Sequence, residues 1–141
     1  MGKIFEQLTQ FTAEANNVAE FLVLGLEVDV VGDEAREVLL SEWAEANGHS
    51  LRPLGERSRF QRLVEGEASC WLGHRHFKDL LHGIYGPDPQ RSRSVAAELV
   101  ASIGPADYQW ADFAIDDWTF CDVLVVTQPL RGIVIAFLAE D

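Results

Sequence analysis

Three of the four histidines, His74, His76 and His82, and one of the two cysteines, Cys70, fall inside the stretch CWLGHRHFKDLLHG at residues 70–83. Sulfur and imidazole at that density are zinc-ligand types, and a zinc site needs four converging N or S donors, or three and a water. Cys70 and His74 are also one helical turn apart, the spacing at which a histidine can activate a thiolate nucleophile. A second group, Asp116 and Asp117 with Asp112 and Asp122 nearby, has the carboxylates for acid–base or magnesium chemistry. A third, Arg57, Arg59 and Arg62 with Arg91 and Arg93, has the forked cations that grip phosphate.

Whether the first group converges depends on the element that carries it. The pattern over residues 67–85 predicts a helix, with Cys70, Gly73, Phe77, Leu80, Leu81 and Ile84 on a core face. At about 100° per residue, and with Phe77 at zero, Cys70 falls at about 20°, His74 at about 60°, His82 at about 140° and His76 at about 260°. The three histidines fan out, so the helix offers a metal at most Cys70 and His74. Cys70 reads as a small core residue, since free cysteine is among the most buried residue types. Gly73 is the weak point, because a broken helix changes every one of these angles.

Asp112, Asp116 and their neighbours lie on YQWADFAIDDW (108–118), which alternates as a strand. Ala111, Phe113 and Ile115 form an apolar face that belongs to the core. The opposite face carries Tyr108, Trp110, Asp112, Asp116 and Trp118, aromatic rings among carboxylates, the composition of a protein-binding face with ring anchors and a charged rim. A covering helix from the same chain would turn that face into ordinary core instead.

The remaining elements are legible from periodicity and punctuation. Ile4, Leu8, Phe11, Ala15 and Val18 mark an amphipathic helix over residues 3–20, and FLVLGLEVDVV (21–31) alternates as a strand burying Leu22, Leu24, Leu26, Val28 and Val30. Asp33 can cap a helix over 34–47 with Val38, Leu39, Trp43 and Ala46 inward, and Gly48 suits its end. HSLRPLG is a short edge strand or a loop, since Pro53 lacks a ladder donor. Residues 56–65 are predicted helical. Asp88 and Pro89 open the clearest helix, with Val95, Ala96, Leu99 and Ile103 inward and Gly104-Pro105 at its end. Strands follow at 107–116, 119–127 and 131–138, the last pair joined around Gln128, Pro129 and Leu130; IVIAFLA, apolar on both parities, is a central strand. The reading is a single α+β domain over residues 1–141, a mostly antiparallel sheet made of an N-terminal strand and a C-terminal meander, covered by four to five helices.

Charge bounds the function. The net charge is −12, with two basic against ten acidic residues in 1–50, eight against five in 51–93, and one against eight in 94–141. Such a field repels nucleic acid and anionic membranes and speeds encounter with a basic protein. The arginines of the middle segment are expected to pair with the chain's own acidic helices or to lie on the solvated side. No run of about 18 apolar residues and no secretory leader pattern is present, so a cytoplasmic location is expected, with both cysteines reduced. Nucleophile-elbow, phosphate-loop, dinucleotide and dithiol motifs are absent, and no cofactor is implied.

In size, acidity and lack of motifs the chain resembles in general character the immunity proteins of bacterial toxin systems and small phage-encoded inhibitors. That resemblance implies a basic protein partner such as a toxin, occluded sterically and electrostatically. Tyr108, Trp110, Asp112, Asp116, Asp117 and Trp118 are the candidate partner-binding residues, with Trp110 and Trp118 inserted and the aspartates pairing lysine or arginine. The alternative is a metal- or Cys/His-dependent enzyme using Cys70 and His74, with His76 or the Asp116-Asp117 pair.

Overall fold

A computed structural model describes residues 6, 18–26, 30, 32–64, 66–77, 88–116 and 119–140. The elements are β1 (Val18–Gly25), α1 (Gly32–Ala46), β2 (Leu51–Pro53), a 3-10 turn (Gly55–Ser58), β3 (Gln61–Leu63), α2 (Glu67–Cys70) running into a π-helical stretch (Trp71–Phe77), α3 (Pro89–Ile103), β4 (Asp107–Ile115), β5 (Thr119–Gln128) and β6 (Arg131–Glu140). The fold class is α+β, as the sequence predicts. The chain divides into two compact units, Met1–Ala19 with Leu63–Pro105, and Glu20–Arg62 with Ala106–Asp141.

The second unit is built on the meander. The sheet order is β1-β6-β5-β4-β2, with β3 also pairing β4, so the predicted N-terminal strand joins β6 at one edge. The β2–β4, β4–β5 and β5–β6 ladders are antiparallel. Gln128 pairs with Arg131 across a two-residue turn, with Pro129 at its first position and Leu130 at φ 65. Ile133, Val134, Ile135 and Ala136 are all fully buried, as a strand apolar on both parities requires.

One face of this sheet and the inner side of α1 share a core. Leu39, Trp43 and Ala44 pack with Phe113, Ile115, Val123, Val125 and Val134, and Leu22, Leu24 and Leu51 close its margin. Truncating a ring such as Trp43, fully buried, costs about 3–5 kcal/mol in comparable cores. The inner side of α1 differs from the expected one: Ala35, Leu39, Leu40, Trp43 and Ala44 are buried, whereas Val38 is 38% exposed and Ala46 faces solvent. Only the 35-39-43 and 40-44 rows keep the period of 3.6 against one surface, and Val38 and Ala46 lie off them.

Two sequence expectations give way here. In place of the helix expected over 56–65, the described residues hold the 3-10 turn to Ser58 and the strand Gln61–Leu63, with residue 65 outside them. The turn is pinned from outside, as Ser58 Oγ accepts from Leu54 N–H at 2.6 Å and donates to the Asp112 carbonyl. Gly55 supplies the left-handed φ of 64 that starts it. The helix expected over 3–20 falls, up to residue 17 and apart from Glu6, outside the described residues, and Val18, Ala19 and Glu20 are strand.

In the first unit, α3 has the predicted ends. The Asp88 carboxylate accepts from Arg91 N–H at 3.1 Å, Pro89 opens the first turn, and Gly104 at φ 83 donates to the Val100 carbonyl. Ser92, Val95, Ala96, Leu99 and Ile103 are buried. The expected single helix over 67–85 is four α-helical residues followed by seven in π geometry, and residues 78–87 lie outside the described ones. Four to five helices were expected; three α-helices stand among the described residues. Gly73 explains part of the change: a Cβ there would sit 3.4 Å from the Ser92 carbonyl and 3.5 Å from Ala96 Cβ, so its lack of a side chain lets this stretch lie close on α3.

Candidate functional site

The π turn resets the angles of the histidine cluster, since i→i+5 closure turns each residue through less than an α-helix does. Trp71, Leu72, Gly73 and Phe77 are buried, and Cys70, expected in the core, is exposed. His74 is exposed as well, and the half-buried His76 ring stands 4.7 Å from that of Trp71. His82 and the apolar residues Leu80, Leu81 and Ile84 lie outside the described residues. Among the described residues no three His, Cys, Asp or Glu side chains converge as a metal site.

The aromatic and acidic face of β4 is mostly covered. Tyr108 is 6% and Asp112 7% exposed, Trp110 is half-buried, Asp116 is exposed, and Asp117 and Trp118 lie outside the described residues. Burial pushes the Tyr108 hydroxyl above its ordinary pKa. Asp112 pairs with Arg57 at 3.4 Å and faces Asp122 across the β4–β5 ladder. Tyr108 and Asp112 are therefore unavailable to a docking partner in this structure.

Arg57, Arg59 and Arg62 meet the chain's own carboxylates, though mostly on β4 and the 3-10 turn and not on the acidic helices that were expected. Arg57 reaches Asp112, Arg59 reaches Glu56, and Arg62 reaches Asp107 at 2.7 Å and Asp33 at 3.5 Å. The hydrogen bond from Arg62 holds the Asp107 carboxyl below the usual carboxylate range. Arg36, the one basic residue of α1, contacts Asp33 and Glu37, donates to Gln109 Oε1 at 2.9 Å and stacks 4.5 Å over Phe60.

What α1 leaves to solvent is negative. Asp33, Glu34, Glu37, Glu42 and Glu45 are all exposed, and the last turn has no basic residue. The helix ends in a Schellman motif: Gly48, at φ 69, donates to the Glu45 carbonyl at 3.2 Å, and His49 N–H donates to the Ala44 carbonyl at 2.8 Å. That motif sets the His49 ring 5.5 Å from the Trp43 ring.

His49 is the histidine that the density of residues 70–83 drew attention away from. Its Nε2 lies 2.9 Å from Glu20 on β1, and its Nδ1 lies 3.5 Å from Asp116 beyond the end of β4. Asp116, at φ 55, donates its N–H to the Ser50 carbonyl at 3.1 Å. Glu20 hydrogen-bonds one ring nitrogen and Asp116 lies near the other, which brings three segments together around the ring. The one local signal for this arrangement is Gly48 followed by His49.

Beside it runs an open groove of about 380 Å³. Leu40, Ala44 and Leu51 are its apolar lining, and Glu37, Ser41, Glu45 and His49 its polar one. Glu37 Oε1 already accepts from Arg36, whereas Glu45 has no ion pair among the described residues. No helix among the described residues is long and apolar enough to cross a membrane. Comparison with protein-family models, curated proteins and solved structures finds no match for this chain.

Proposed function

We propose that this chain is a small acidic binding protein that neutralises a basic protein partner, in the manner of an immunity protein or a phage-type inhibitor, by steric and electrostatic occlusion in the cytoplasm. The observation that supports the reading is the solvent side of α1, with five exposed carboxylates and an arginine already held by Asp33, Glu37 and Gln109. Its negative field is not neutralised by the helix's own cation, and such a field raises association rates with a cationic surface and suppresses anionic competitors. In this reading the solvent side of α1 adds to the β4 candidates, of which Tyr108 and Asp112 are buried and, among the described residues, Asp116 is exposed.

The test is affinity capture from the native host with the wild-type chain and with Glu42→Lys/Glu45→Lys, followed by a salt titration of the captured complex. A basic protein retained by the wild type, lost by the double variant and weakened steadily by salt is the expected result. Capture that is indifferent to both charge reversal and salt overturns the reading.

A further inference from the structure

We infer that the groove beside α1 takes an extended segment of the partner with basic, apolar and basic side chains at alternate positions. The inference rests on the reading of the chain as a binder of basic proteins and names the element such a partner inserts. Glu37 and Glu45 are two helical steps of four apart, about 12 Å along the axis of α1. Ser41 stands midway between them on the same row, and beside that row the apolar side chains of Leu40, Ala44 and Leu51 line the groove floor. An extended chain rises about 3.3 Å per residue and turns alternate side chains to one face, so four residues cover about 13 Å. Basic residues at the first and fifth positions then meet Glu37 and Glu45, and an apolar residue at the third meets the floor.

The two ends are unequal. Glu45 is without an ion pair among the described residues, whereas Glu37 already shares one oxygen with Arg36. His49 has its Nε2 engaged by Glu20, with Asp116 3.5 Å from its Nδ1. The groove therefore selects for charge at its Glu45 end and for apolar bulk at its centre. Charge alone would bind anywhere along the helix; the floor is what gives the segment a register.

The probe is an end-capped pentapeptide, Arg-Ser-Leu-Ser-Arg, titrated into the labelled protein while backbone amide NMR shifts are followed. Shifts confined to residues 37–51, absent with Arg-Ser-Ser-Ser-Arg and weakened about two- to fivefold by Glu45→Gln, are expected, the fold-change being that of an exposed ion pair. Shifts spread evenly along α1 to Asp33 and Glu34, equal binding of the serine-centred peptide, or no shifts at all overturn the inference. Concentration-dependent shifts at the same amides without peptide would seat a second copy of the chain there and overturn it too. A basic partner whose capture is lost with Glu42→Lys/Glu45→Lys while the pentapeptide fails leaves the binder reading standing and removes the groove from it.

Discussion

His49 Nε2 sits 2.9 Å from Glu20 Oε2 across 29 residues of sequence, and this contact fastens β1 to the end of α1. Both side chains are largely shielded, 14% and 22% exposed, so removing the imidazole strands a carboxylate in a poorly hydrated place. His49→Ala is expected to destabilise the fold by about 1.5–3 kcal/mol, the range for hydrogen bonds to charged groups. Urea unfolding of His49→Ala, Glu20→Gln and the double variant measures it. Single-variant effects that simply add would show that the two residues are not coupled.

Gly132 stands where β6 crosses Leu39, and a Cβ there would come within 2.8 Å of Leu39 Cγ. Leu39 is fully buried, so it can yield only by displacing its core neighbours. Gly132→Ala should therefore cost about 1–3 kcal/mol, as overpacking does. In a Leu39→Val background the same substitution should cost less, which a thermal unfolding cycle reads directly.

The meander and α3 were legible in the sequence because their signals are local. Strict alternation marks Ala111, Phe113 and Ile115, and Asp88, Pro89 and Gly104 sit at the helix ends where their chemistry belongs. The helix expected over 56–65 gives way because Ser58 bonds Asp112, 54 residues away, a partner that no local pattern shows. Cys70 was misplaced because its angle presumed α geometry through Gly73. The His49 cluster was invisible for a different reason: Glu20 and Asp116 are remote in sequence, and no periodicity encodes their meeting.

Asp107 gives the acid limb of stability. Its carboxyl is held below the ordinary value of 3.8, first by the Arg62 hydrogen bond. A carboxylate with a depressed native pKa adds stability that is fully present above the unfolded value and is lost as pH falls through the native one. Asp107→Asn should flatten the acid transition below about pH 4 relative to wild type. Added salt should shrink the difference, since Arg62 is exposed.

The two thiols should separate cleanly. Burial pushes Cys121 up to about 12, so at neutral pH it stays protonated and shielded, while Cys70 is exposed. A colorimetric thiol reagent at pH near 8 should label one cysteine fast and the second only in denaturant. Cys70→Ser should abolish the fast phase; a fast phase that survives it would place Cys121 at the surface. Because the native pKa is raised, Cys121 also adds stability below its ordinary value of 9.0 that is lost as pH climbs toward about 12.

The order of strands in the sheet carries a consequence for how the chain is made. β1 pairs with β6 and β2 with β4, so these two strands leave the ribosome well before the partners they pair with. Until β4 to β6 emerge, Leu22, Leu24 and the inner side of α1 have no sheet to lie on. Chaperones that shelter nascent apolar segments then have a long window on this protein. Once the last hairpin closes, docking of the early strands is the step with the longest loops to shut, and it is the one expected to set the folding rate.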